Sequence, residues 1–135
     1  MIVIEASAMV DALVGEPANP TLLALLADEE LHAPALLDFE VASALRGHVL
    51  GGKLTANRMS EAVEDFRGLE IVRYHGGALL GEVLELRDNF TVYDAAYIVL
   101  ARALDATLVT ADAKLADAKR HGVILKIIDS TPHNA

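Results

Sequence analysis

Four acids stand where a carboxylate is either costly or conspicuous. Glu5 follows the apolar run "MIVI", and Asp112 closes "TLVTAD". Glu40 is embedded in "LLDFEVASAL" and Asp94 in "TVYDAAYIVLA". A charged side chain in an apolar stripe is unfavourable unless it is paired or bound to something. Each acid has an ordinary explanation when taken alone. Glu5 suits a surface turn, Asp112 and Asp94 suit helix starts, and Glu40 suits a solvent-facing helix position. Taken together they repel one another, and a hard cation relieves that repulsion. Mg²⁺ and Mn²⁺ prefer carboxylate oxygen and water, and such an ion supplies the Lewis acidity for attack on a phosphodiester. Glu5, Glu40, Asp94 and Asp112 are therefore the candidate metal ligands and catalytic residues. Asp117, five positions past Asp112, is a further candidate ligand.

Other chemistries are poorly served. There is no cysteine, hence no thiolate site or disulfide. No G-x-G-x-x-G or P-loop is present, which argues against a nucleotide cofactor. His32, His48, His75, His121 and His133 form no ligand-spaced pair and are expected to be surface or satisfied side chains. Asp11, about two turns into the first helix, is expected to be solvated, and Lys114, Lys119 and Arg120 are expected to form a solvated helix face.

The elements that position these acids follow from the pattern. Residues 2–4 read as a buried strand, and a helix runs from about Ser7 to Val14, closed by Gly15. A second helix restarts near Pro20 or Thr21, since proline favours the first helical position. "LHAP" is extended, because the residue before proline avoids the helical region. A helix then carries Glu40 and ends at Gly51 and Gly52. Thr55 caps the next helix, which places Met59, Val63 and Phe66 on one face. "EIVRY" reads as a strand and "GALLGEVLELRDN" as a helix with Leu79, Val83 and Leu86 at helical spacing. The Asp94 helix, the strand "ATLVTAD", the helix "AKLADAKRHG" and the strand "ILKII" complete the chain. This alternation predicts an α/β fold with a parallel sheet. Ligands in such folds bind beyond the carboxyl ends of the strands, where Glu5 and Asp112 fall.

Composition sets the frame. With 135 residues the expectation is one domain over 1–135 with a loose tail at 130–135. The charge of −9, from 11 basic and 20 acidic residues, argues against broad attraction to phosphate backbones. It does not exclude a nucleic-acid substrate, because a bound cation reverses the local field. The apolar start has no basic segment before it and is not read as a signal peptide. No apolar run approaches the ~20 residues needed to cross a bilayer, and a cytoplasmic protein without membrane attachment is expected.

Four motifs, in order, carry a resemblance. "MIVIEASAMV", "APALLDFEVASAL", "TVYDAAYIVLA" and "LVTAD" together resemble the PIN-domain ribonucleases, specifically the VapC toxins of bacterial VapBC toxin–antitoxin modules. The resemblance implies a three-layer α/β/α fold around a central parallel sheet. It also implies a Mg²⁺- or Mn²⁺-dependent endoribonuclease that cuts RNA. By motif, Glu40, Asp94 and Asp112 take the family's acidic positions. Ser7 and Thr110 match hydroxyl residues that orient carboxylates or water. The implied partner is a small antitoxin protein covering the acidic cleft, with a homodimer or a toxin–antitoxin hetero-oligomer as the assembly. The Leu-rich segment "TLLALLADEE" and the helix 55–68 are the candidate surfaces. The chain departs from the pattern at Glu5, where the family usually has Asp, and the extra methylene predicts an attenuated catalyst. Two alternatives stay open. One is a catalytically weak PIN-like module that binds a partner. The other is a phospho-acceptor receiver domain, which the single Glu5 and the helix-borne acids fit poorly.

Overall fold

The structure, a computed structural model, describes residues 1–129; the expected loose tail and His133 lie outside the described residues. The chain runs β1 (Ile2–Ile4), α1 (Ala6–Val14), α2 (Pro20–Asp28), β2 (Leu31–Pro34), α3 (Leu37–Leu50), α4 (Ala56–Arg67), β3 (Ile71–Tyr74), α5 (Leu80–Glu85), α6 (Val92–Leu104), β4 (Thr107–Thr110) and β5 (Leu125–Ile127). Short 3₁₀ segments occupy Gly77–Leu79 and Ala113–His121.

The strands make one five-stranded, all-parallel sheet in the order β3-β2-β1-β4-β5. β1 is central because its three residues are apolar on both faces and wholly buried. Parallel strands need helices on both sides of the sheet to cover such a run. Ile2 pairs with Leu31 on one side and Thr107 on the other, and Ile4 pairs with Val109. α1 packs with α2, α3 and α4, while α5 and both 3₁₀ segments pack with α6, which lies against β1, β2 and β4. The result is the expected α/β/α layering.

Helix starts follow local chemistry. Asn19 accepts from Thr21 and Leu22 N–H groups ahead of Pro20, Thr55 caps α4, and Thr91 caps α6. α6 stops at Asp105, whose φ of 52° is the left-handed turn that Asp tolerates better than most residues.

Three expectations are corrected. The helix expected over "GALLGEVLELRDN" shrinks to a 3₁₀ turn and the six residues of α5, because Gly77 and Gly81 weaken helix formation there. "AKLADAKRH" is 3₁₀ rather than α; its buried residues, Leu115 and Ala118, are three apart, which matches three residues per turn. On α4 the buried residues are Ala62 and Phe66, with Met59 partly buried, whereas Val63 is 36% exposed. Among the described residues, no helix is long and apolar enough to cross a membrane.

Candidate active site

Because all the strands are parallel, their carboxyl ends share one edge. Glu5 follows β1 there, Asp112 follows β4, α3 begins there after β2, and α6 begins there because it runs back against the sheet to feed β4. The fold thus brings Glu5, Glu40, Asp94 and Asp112 to one place from four elements.

Glu5 is 7% exposed and is the N-cap of α1. The Ser7 N–H donates to both of its oxygens, at 2.7 and 3.1 Å, and the Ser7 hydroxyl donates to Oε1 at 2.6 Å. The Thr110 hydroxyl donates to the same Oε1 at 2.9 Å. Each hydroxyl in turn accepts a backbone N–H: Ala111 donates to Ser7 Oγ at 2.9 Å and Asp112 to Thr110 Oγ1 at 3.0 Å. With one proton each, both hydroxyls spend it on Glu5 and accept from the β4 end, and their oxygens lie 3.2 Å apart. Ser7 and Thr110 therefore do what orienting residues do, and they tie β1 to the turn after β4.

The other acids are held more lightly. Tyr97 OH donates to Glu40 Oε1 at 2.7 Å, and Glu40 is partly buried. Asp94 stands in the first turn of α6, its N–H donating to the Thr91 hydroxyl at 3.1 Å. Asp112 Oδ1 accepts from the Lys114 N–H at 2.9 Å, the capping role that the sequence allowed for.

Electrostatics links the four. Burial pushes the Glu5 carboxyl up from its ordinary value; the Ser7 and Thr110 hydrogen bonds pull it down, and the charge of Asp112 adds to the rise. Burial likewise raises Glu40, opposed by the Tyr97 hydrogen bond and reinforced by Glu5 and Asp94. Asp94 is raised by burial and then by Asp112, with Thr91 and Lys114 opposing. Tyr97 is pushed up strongly by burial and by its bond to Glu40, so it stays a protonated donor. Glu5, Glu40 and Asp94 each feel at least one other site acid as a like charge.

The donor set of carboxylates alone suits a hard divalent ion. In the positions the structure gives them, however, no three His, Asp or Glu side chains among the described residues converge on one point. Glu5 is turned back onto Ser7 and Thr110, so holding an ion requires the partly exposed carboxylates to turn toward it. Asp117 is not drawn in. Its side chain is 70% exposed and lies 4.0 Å from Arg120.

Two residues escaped the sequence reading. Tyr97 is fully buried but acts through its hydroxyl; its i+3 spacing from Asp94, which puts both on one helix flank, was the available signal. Asp11 is the clear correction. It is 6% exposed rather than solvated, and its Oδ2 is the buried side-chain polar atom without a hydrogen-bond partner among the described residues. It lines a cavity of about 370 Å³ that reaches Ser7 and Glu40. Packing of α3 and α4 over α1 buries it, which the sequence of α1 cannot reveal. Of the histidines, His32 is buried and bonded to Tyr74 OH and Glu30, a satisfied side chain as expected.

Alongside this central parallel sheet with acids gathered at its carboxyl edge, the family model for the PIN domain matches residues 2–121. The chain belongs to the PIN-domain family. It is 42% identical over 118 residues to Ribonuclease VapC1 of Mycobacterium tuberculosis, spanning 86% of this chain and 89% of that one. It is 40% identical over 117 residues to VapC ribonuclease Mb0985 of Mycobacterium bovis, spanning 87% and 90%. Among solved structures, VapBC2 from Rickettsia felis, bound to a DNA fragment from its promoter, has the same fold. Its TM-score is 0.65 at 20% identity, covering 96% of this chain and all of that one.

Proposed function

We propose that this chain is a metal-dependent endoribonuclease, the toxin of a toxin–antitoxin pair, acting through Glu40, Asp94, Asp112 and Glu5. The observation that carries the reading is the gathering of these acids at one sheet edge, where Glu5, Glu40 and Asp94 are raised by burial and further by like charges, in a chain whose relatives are named ribonucleases. Bound there, Mg²⁺ or Mn²⁺ supplies Lewis acidity and offsets the charge that develops on the phosphate. The protein's own groups do the rest. Ser7 and Thr110 fix Glu5, and Tyr97 holds Glu40 by Oε1, while Oε2 accepts no hydrogen bond among the described residues. In this reading that oxygen takes the proton of the attacking water. The water oxygen bonds to phosphorus, the P–O ester bond breaks, and the leaving oxygen takes a proton from a solvent water, while Glu40 gives up its own to solvent. Thr91 and Lys114 steady Asp94 and temper its charge.

The proposed partner is a small basic or amphipathic antitoxin, which offsets the acidic cleft with a cationic side chain. Self-association through α2 and α4 is the proposed assembly; Leu23 at 45% and Val63 at 36% exposure are the apolar side chains these helices offer. A second reading, a catalytically weak partner-binding module, draws on the hydrogen bonds that hold Glu5 away from a common metal point.

The deciding experiment incubates purified protein and RNA with Mg²⁺, Mn²⁺ or chelator, with and without the product of the neighbouring gene. Cleavage that requires the ion and is suppressed by that product is expected. Absence of cleavage with Mn²⁺ favours the binding module.

A further inference from the structure

The chain has three Phe and three Tyr, and the fold sorts them sharply. Phe66 and Tyr97 are in the core. Tyr74 is stacked on and bonded to His32, and Phe90 meets His121 edge-on. The remaining rings, Phe39 at 81% and Tyr93 at 63% exposure, make no side-chain hydrogen bond or ring contact among the described residues. Each stands immediately before a site acid: Phe39 before Glu40 and Tyr93 before Asp94. Both lie in the first turn of their helices, at the sheet edge that carries the acids. Tyr93 also borders an apolar cavity of about 230 Å³, formed where β2 and β3 end at Pro34 and Tyr74.

Large exposed apolar side chains grouped at a site mark contact surfaces. The charge balance says what the contact is. A chain of net charge −9 with an acidic cleft gains little from phosphate contacts, which carry most non-specific nucleic-acid affinity. Among the described residues, Lys114 is the cation that tempers Asp94, and Arg73 is already paired with Asp38, the residue before Phe39. RNA must then be held by something other than charge. Unpaired bases stack on exposed aromatic rings with little regard for sequence or salt. Resting on the ribonuclease reading, we propose that Phe39 and Tyr93 are positioning residues that stack the unpaired bases flanking the scissile phosphate. They confine the substrate to single-stranded or looped RNA, since bases inside a duplex cannot reach the rings.

The test compares wild type with Phe39→Ala, Tyr93→Ala, Phe39→Tyr and Tyr93→Phe, each verified as folded by its melting curve. The probes are a single-stranded RNA oligonucleotide, the same strand in a duplex, and the strand with an abasic nucleotide on either side of the cleaved bond. Each alanine variant is expected to raise KM about tenfold with kcat nearly kept. Ring-for-ring variants are expected to match wild type, and affinity is expected to change little with salt. The abasic substrate is expected to erase the difference between wild type and one alanine variant, as a shared contact requires. Wild-type KM in both alanine variants, with cleavage intact, overturns the stacking proposal alone. Unchanged RNA binding with weakened capture of the neighbouring gene's product overturns it in favour of a protein interface. Wild type that cleaves nothing with Mn²⁺ overturns the ribonuclease reading beneath it.

Discussion

On the strand side of the site, Glu5 is nearly sealed from solvent and receives hydrogen bonds from the Ser7 N–H, the Ser7 hydroxyl and the Thr110 hydroxyl. On the helix side, Glu40 and Asp94 are partly exposed; Glu40 has the Tyr97 hydroxyl and Asp94 the Thr91 cap. All three carboxyls are raised by burial first, yet the opposing forces differ. Glu5 is held down by a fixed hydrogen-bond set that also caps a helix and joins two strands. Glu40 and Asp94 are partly exposed, and like charges rank higher among the causes that lift them than they do for Glu5. One side is scaffold and the other is adjustable, so an acid's proximity to the site does not tell how freely it serves the ion.

The largest break in this contrast comes on the adjustable side. Asp94→Asn removes a carboxylate whose chief interactions are with other site acids, so kcat for RNA cleavage with Mn²⁺ is expected to fall about a thousandfold. The metal-free melting temperature should stay near wild type. A large loss of stability without metal would show Asp94 to be scaffold as well.

On the scaffold side, Glu5→Asp shortens the carboxylate by about one bond, more than the ~0.5 Å tolerance of productive geometry. Cleavage is expected to rise about tenfold, with binding to the neighbouring gene's product unchanged. Equal activity would make Glu5 a competent native ligand. Ser7→Ala and Thr110→Val should each lower stability by about 1–2 kcal/mol in urea titrations, because a buried carboxylate loses a donor. Activity should fall about 10–100-fold through the loosened Glu5.

Ion and proton should compete on both sides. Raised carboxyls bind more protons in the folded than in the unfolded chain. Metal-free stability should therefore fall as pH climbs from the ordinary carboxylate range through the raised values. Calorimetry above that window should show Mg²⁺ or Mn²⁺ restoring stability, by ~2.7 kcal/mol at a hundredfold excess over Kd. A flat pH response without metal would dissolve the proposed repulsion. The smallest effect concerns Asp11, which lines the same cavity as Glu40: Asp11→Asn should change stability in urea titrations by less than about 1 kcal/mol and leave cleavage near wild type, since an unpartnered carboxylate oxygen is exchanged for an amide of the same shape.

What the sequence disclosed follows from how local each signal is. Strand, acid and helix start are adjacent in "IVIEAS" and "TLVTAD", so Glu5 and Asp112 were legible as edge residues. Asp94 and Glu40 stood out as charges inside apolar stripes. The 3₁₀ geometry after Asp112 was hidden because the same residues suit an α-helix until Leu115 and Ala118 meet the core. The Tyr97–Glu40 bond joins residues 57 apart, and the burial of Asp11 depends on two later helices. Such facts belong to packing rather than to any stretch of chain.

The bond between Thr110 and Glu5 spans 105 positions, and Ser7 accepts from Ala111 across 104. On a ribosome, the first of these residues emerges long before the last. Until β4 is made, β1 has an open flank, Glu5 lacks the Thr110 hydroxyl, and Asp112 does not yet exist. A growing or prematurely ended chain therefore carries Glu5 and Glu40 but no assembled site. The acidic edge is complete only after residues 107–112 have been made and β4 has paired with β1.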